Sequence, residues 1–243
     1  MVTRVKTGIP GLDKLLEGGI PKGAVLLISG TPGTGKSILS SQMAYQIALS
    51  GKKCLYLNLE QKEGQIEIQM EQFGWDAKKV KNKLKIVTVD SSNPKIVEYV
   101  IDEIKNANYD LIILDSLDSI SSSPVSLEEL GERSLEKVAE FTVPTIMDSV
   151  MIGRMKLKRI FKAINTSNAT AILTSEKVEG AKGISRDTIS EFLCDGIIIL
   201  HSVEGEEGFR TLNIPKMRLT KQKQGIYSFT IEKEGVKVKA QEG

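Results

Sequence analysis

Residues Gly30, Thr31, Pro32, Gly33, Thr34, Gly35, Lys36 and Ser37 follow the spacing G-x-x-x-x-G-K-[ST]. That order of residue types suits the binding of phosphate. Glycines let the backbone turn its amide N–H groups inward around an anion. Lys36 brings a mobile positive charge to the β- and γ-phosphates of a nucleotide, and Ser37 brings a hydroxyl ligand for Mg²⁺. The nucleotide-contacting set expected here runs from Gly30 through Ile38, with ATP and Mg²⁺ as the ligands.

Two carboxylates could complete such a site. Asp110-Leu111-Ile112-Ile113-Leu114-Asp115 is a buried-strand run that ends on an acid, which places Asp115 at a strand end beside the loop as a second holder of the Mg²⁺ shell. Asp118 is the runner-up, more simply read as an exposed loop carboxylate. Leu55-Tyr56-Leu57-Asn58-Leu59-Glu60 has the same form. Glu60 is the candidate base for water, and Gln61 could help position that water.

The elements that must carry these residues are legible as alternating apolar runs and helical periods. Strands are predicted at 24–29, 53–59, 84–89, 110–115, 169–174 and 196–201, with helices near 37–50, 63–73, 94–107 and 151–166. Alternation of this kind predicts an α/β fold with a mostly parallel sheet covered by helices on both faces. Beyond residue 205 the pattern changes to short strands at 209–217, 225–232 and 235–239, expected as antiparallel additions at one sheet edge. The chain is expected to be one domain over 1–243, with a variable insertion at 119–150 and a C-terminal β extension at 205–240. The 119–150 segment follows a strand end, where open α/β sheets place ligands. It reads equally as a loop facing nucleotide or partner and as a plain surface excursion.

Composition narrows the classes. The chain has 243 residues, a formal net charge of +2 and a hydrophobic fraction of 40%, enough for a buried core and too mild a charge to argue for nucleic acid by itself. One histidine makes His-based metal or triad chemistry improbable. Two cysteines without metal-type spacing, no leader-like apolar segment and apolar runs too short to span a bilayer predict a reduced, cytoplasmic setting.

A wider set of motifs carries a family resemblance. Thr7-Gly8-Ile9-Pro10-Gly11-Leu12-Asp13 opens the chain, and Gly18-Gly19-Ile20-Pro21-Lys22-Gly23 precedes the loop. Leu173-Thr174-Ser175-Glu176, Gly183-Ile184-Ser185-Arg186-Asp187, Glu191-Phe192-Leu193-Cys194-Asp195-Gly196 and Lys216-Met217-Arg218-Leu219-Thr220 follow in order. From about residue 6 to about residue 232 the sequence resembles a KaiC-type domain of the RecA superfamily, in its single-domain archaeal form. The resemblance implies a RecA-like fold and a ring, usually a hexamer, with ATP at subunit interfaces. It further implies that Lys216 and Arg218 reach the γ-phosphate of a neighbouring subunit, and that Ser175 and Glu176 sit near that phosphate as a sensing element. Where many relatives have two adjacent glutamates, this chain has Glu60-Gln61, so one acid remains. Glu191 and Phe192 stand at the clock-type phosphorylation positions, so autophosphorylation there is not expected.

Two other roles fit the same residues. One is an accessory recombinase paralogue that binds single-stranded DNA. Its contacts would come from Arg133, Lys177, Lys182 and Arg186 in loops, or from the helical cluster Arg154, Lys156, Lys158, Arg159 and Lys162, which is more simply read as a solvated helix face. The other is an ATP-gated scaffold for protein partners with little hydrolysis.

Overall fold

A computed structural model describes residues 2–125, 146–180, 183–202, 210–221 and 224–239. Arg133, Lys182 and most of the 119–150 segment lie outside the described residues, as does the start of the C-terminal extension.

Strand β3 (Val25–Gly30) leads into the phosphate-type loop and lies inside a nine-stranded sheet. Its parallel neighbours are β7 (Thr170–Glu176) on one side and β8 (Gly196–Ser202) on the other. The parallel set continues through β6 (Leu111–Asp115) and β4 (Cys54–Asn58) to β5 (Leu84–Thr88) at the edge. At the opposite edge β9 (Arg210–Met217), β10 (Ile226–Glu232) and β11 (Gly235–Lys239) add antiparallel. The expected mixed sheet and its antiparallel edge are both present. Beyond the expectation, β1 (Arg4–Val5) and β2 (Ile20–Pro21) form a separate antiparallel pair.

Strands β3, β4 and β6 are buried along their whole length because helices cover both faces. Side-chain alternation divides them between two cores. Leu26, Ile28, Tyr56, Leu111 and Ile113 pack with α2 (Lys36–Leu49) and α3 (Gln65–Gln72). Val25, Leu27, Leu55, Ile112 and Leu114 face the other way. They pack against α5 (Ile96–Lys105) and the long α7 (Ile146–Ser167). Asp115 continues the odd-numbered face of β6, so alternation turns its carboxylate toward α2.

Helix α2 is buried well beyond its periodic Leu39, Met43 and Ile47. Ser40, Ser41 and Gln42 are buried too, and each has a partner. Gln42 spans to β11, donating to the Val236 carbonyl at 3.3 Å and accepting from its amide at 2.6 Å. The helix that opens at the phosphate-type loop is thereby fixed to the far edge of the sheet. Four short helices escaped the sequence reading: α1 (Leu12–Leu15), α4 (Ala77–Val80), α6 (Leu117–Ser121) and α8 (Ser190–Leu193). Elements of about one turn carry no detectable period.

Candidate nucleotide site

The loop leaves β3 at Gly30, where close packing forbids a side chain. A Cβ there would lie 2.7 Å from the Leu200 carbonyl oxygen and 2.7 Å from Thr34 Oγ1. Gly35 has φ +101° and serves as the N-cap of α2, so no side chain competes for the first-turn amides. Lys36 Nζ donates to the carbonyls of Gly30 at 2.9 Å and Thr31 at 3.1 Å, so the loop is wrapped around its own ammonium group. Buried Thr34 closes the curl by donating to the Thr31 carbonyl at 2.8 Å. A helix N-terminus, free amides and one cation at a single point suit a polyphosphate.

Asp115 is 1% exposed and its two oxygens are separately held. Thr174 Oγ1 donates to Oδ1 at 2.5 Å, and Tyr56 Oη donates to Oδ2 at 2.8 Å. Tyr56 in turn lies 3.2 Å from Ser40 Oγ, and Ser40 donates to the Ser37 carbonyl at 3.1 Å. Hydroxyl contacts therefore connect the strand-end carboxylate to the first turn of α2, where Ser37 sits. Burial first, and then the Asp115 charge, push the Tyr56 phenol well above its usual pKa, which keeps it a neutral donor. This donor set fits magnesium, which takes one or two carboxylates together with phosphate oxygens. Removing the phenol hydroxyl in Tyr56→Phe leaves Asp115 one donor short. The expected loss of stability is about 2 kcal/mol at pH 7, read from urea unfolding. Unfolding curves that superimpose on those of the parent chain would show that the phenol does not support the carboxylate.

Glu60 lies on the same rim but is exposed. Ser116 Oγ donates to its Oε1, across an Asp115–Ser116 peptide bond that is cis. Asn58 shapes the turn: its Oδ1 accepts from the amides of Glu60 (3.3 Å) and Gln61 (2.9 Å), and its Nδ2 donates to the Gln61 carbonyl at 2.8 Å. Gln61 is thus tied to the turn by its backbone.

One expectation needs correction. Asp118 is no exposed loop carboxylate: it is 8% exposed and accepts from the Glu176 amide at 2.6 Å and from Ser175 Oγ at 3.2 Å. Ser175 consequently turns its hydroxyl toward Asp118 on α6, on the face of β7 opposite Thr174. It is Thr174 that reaches Asp115. Glu176 is held by Arg186, 2.9 Å from its Oε2. The sequence reading missed Thr174, Tyr56, Ser40 and Asn58, all polar groups inside otherwise apolar strands and helices. That polarity was the available signal.

Burial pushes Asp118 from an ordinary 3.8 up to about 6, outweighing its two hydrogen bonds, with Asp187 and Glu60 adding repulsion. An acid whose pKa rises on folding binds its proton more tightly in the native state. Its share of stability is therefore complete below the unfolded value and is lost as pH climbs through about 6. The parent chain is expected to lose on the order of 2 kcal/mol between pH 4 and pH 6 from this group. Asp118→Asn keeps an acceptor for the Glu176 amide and should erase that step. Parallel pH profiles of melting temperature for the two proteins would contradict the assignment.

Lys216 and Arg218 lie far from the loop of their own chain. Lys216 pairs across to Ile197, and Arg218 donates its amide to the Asp195 carbonyl at 2.9 Å. Asp195 Oδ2 accepts from the Val25 amide at 3.0 Å, and its Oδ1 holds the Arg218 guanidinium at 3.0 Å. Arg218 is therefore level with Val25, at the start of β3, while the loop leaves from Gly30 at its end, roughly 16 Å further along. Lys216 Nζ caps α8, donating to the carbonyls of Glu191 at 3.2 Å and Cys194 at 2.5 Å. In the same region the Glu191 carboxylate is pinned by the amides of Ile184 and Ser185, while Phe192 is 72% exposed.

The basic residues of α7 do not form one face. Lys156 is 1% exposed and donates to Ser123 and Pro124. Arg159 pairs with Glu98 at 2.7 Å, and Arg154 donates to Thr188 Oγ1. Among the described residues no helix is long and apolar enough to cross a membrane.

Comparison with known proteins agrees with this geometry. The family described as "ATPase: KaiC" matches residues 5–243. A UPF0273 protein of Aeropyrum pernix is 35% identical over 242 residues, covering 97% of this chain and 93% of its own. The circadian clock protein KaiC3 of Synechocystis is 32% identical across 97% of this chain, which spans only 45% of that longer protein. The crystal structure of a KaiC-like protein from the hyperthermophilic archaeon Pyrococcus horikoshii superposes with a TM-score of 0.79 at 30% identity, covering 99% of this chain and 100% of that one. A match over nearly its whole length, on a RecA-like sheet that ends in a phosphate-type loop, places the chain in the KaiC-type ATPase family.

Proposed function

We propose that this chain binds Mg·ATP and hydrolyses it as a subunit of a homo-oligomeric ring, a hexamer in its simplest form. The observation that carries the reading is the buried link from Asp115 through Tyr56 and Ser40 to the first turn of α2. It joins the two elements that a magnesium–triphosphate complex needs together. Bound magnesium would neutralise phosphate charge between Ser37 and Asp115. The N–H groups of the loop and of the first turn of α2, Pro32 having none, hold the phosphates together with the Lys36 ammonium. Glu60, exposed at the rim, accepts the proton of the attacking water. Lys216 and Arg218, at the other end of the sheet, serve the nucleotide of the adjacent subunit, where positive charge stabilises the transition state. Asp118, Ser175 and Glu176 form a layer behind the site that fixes the end of β7 relative to α6.

Two buried free cysteines, Cys54 and Cys194, are consistent with a reducing, cytoplasmic setting. Calorimetric titration with Mg·ATP, run beside a phosphate-release assay, tests the reading. Saturable binding with turnover is the expected result. Folded, assembled protein that shows neither heat nor a thermal shift would overturn it. Binding without phosphate release would support the scaffold reading instead.

A further inference from the structure

The turn that carries Arg218 is held by a residue far away in sequence. Arg4 Nη1 donates to the Gly19 carbonyl at 3.1 Å and to Thr220 Oγ1 at 2.9 Å. Its Nη2 donates to the Leu219 carbonyl at 2.8 Å and to Glu17 Oε2 at 3.0 Å. Glu17 also accepts the Lys221 amide at 3.1 Å, so one carboxylate ties Arg4 and the turn together. Between them lies Leu219, a branched residue at φ +59° with 71% of its surface exposed. Neither the left-handed backbone nor the outward leucine is favourable by itself, so the turn depends on its clamp. The side chain of Arg4 is only 13% exposed, and its planar fork reaches four acceptors on three segments.

We infer that Arg4, braced by Glu17, is a positioning residue for the Lys216–Arg218 motif, setting the direction in which Arg218 is presented to a second copy of the chain. The inference rests on the proposed action of Arg218 in trans. Asp195 holds Arg218 from the β3 side and the Arg4 clamp holds the following residues from the β1 side, so the finger has two anchors. A displaced finger costs rate far more than it costs nucleotide binding, since its subunit's own loop is remote from it.

Arg4→Ala should lower turnover of the assembled protein about tenfold to a hundredfold while Mg·ATP affinity stays within about twofold. Arg4→Lys, which keeps the charge but not the fork, should recover only part of the rate. Mixing Arg4→Ala with Glu60→Gln should restore activity, whereas mixing it with Arg218→Ala should not, because those two variants damage the same side of the boundary. A general folding defect would not discriminate between the two mixtures. In nucleotide-free protein, hydrogen exchange of the Leu219 and Lys221 region should accelerate in Arg4→Ala. If Arg4→Ala does not fold, Glu17→Ala at a half-exposed position answers the same questions. Full turnover and unchanged exchange in the Arg4 or Glu17 variant, with Arg218→Ala inactive, would overturn this inference alone. Full turnover in Arg218→Ala would overturn the trans reading and this inference with it.

Discussion

Replacing Lys36 with alanine is expected to lower ATP turnover by at least about a hundredfold and to weaken Mg·ATP binding markedly. The ammonium sits inside the curl of the loop, where it already bridges the Gly30 and Thr31 carbonyls. Two losses then coincide. The triphosphate loses a point charge at its most anionic end, and the loop loses the group around which its carbonyls turn. Arginine is not expected to rescue the variant. Its planar guanidinium is larger than an ammonium, and Gly30 is already packed against Leu200 and Thr34. The core does not depend on Lys36, because α2 is anchored through Gln42, Ser41 and its apolar face. Circular dichroism and thermal melting should therefore match the parent chain while calorimetry and phosphate release do not. A variant that binds and hydrolyses ATP at parental levels would remove the loop from the catalytic account.

The same contrast between loop and core explains what could be read from sequence. The long strands and helices announce themselves because burial on both faces demands unbroken apolar runs such as Val25-Leu26-Leu27-Ile28, and because α5 carries a regular apolar stripe. The phosphate-type loop is legible because backbone geometry leaves little freedom in residue choice. What stays hidden is set by three-dimensional closure. Tyr56 reads as an ordinary apolar strand residue, and only the alternation of β4 against β6 reveals that its hydroxyl meets Asp115. Asp118 looks like a loop acid until α6 folds it under β7. Ser175 and Thr174 are adjacent, and which of them faces the loop helix depends on strand parity within the sheet. The Arg4 clamp joins positions more than two hundred residues apart, beyond the reach of any local pattern.

Arg218→Ala is expected to reduce turnover about 10³-fold with little change in nucleotide affinity, the pattern of a group that acts on the transition state from another subunit. The register of the sheet makes a role within one chain untenable. Arg218 is bonded to Asp195 beside Val25, while the loop departs from the opposite end of β3. Under the proposed action in trans, a finger so placed meets a triphosphate across a head-to-tail boundary between copies, and contacts of that kind form a ring where the rotation between copies closes. Complementation follows from that geometry. A Glu60→Gln subunit has a damaged site but an intact finger, and an Arg218→Ala subunit has the reverse. In an equal random mixture about one quarter of boundaries join an intact finger to an intact site, so activity should return to about a quarter of the parental rate. A shared site within one subunit predicts no recovery at any ratio. Recovery that tracks the mixing ratio, peaks at equal proportions and disappears when Glu60→Gln is replaced by the double variant Glu60→Gln/Arg218→Ala would establish the boundary as the place where hydrolysis is completed.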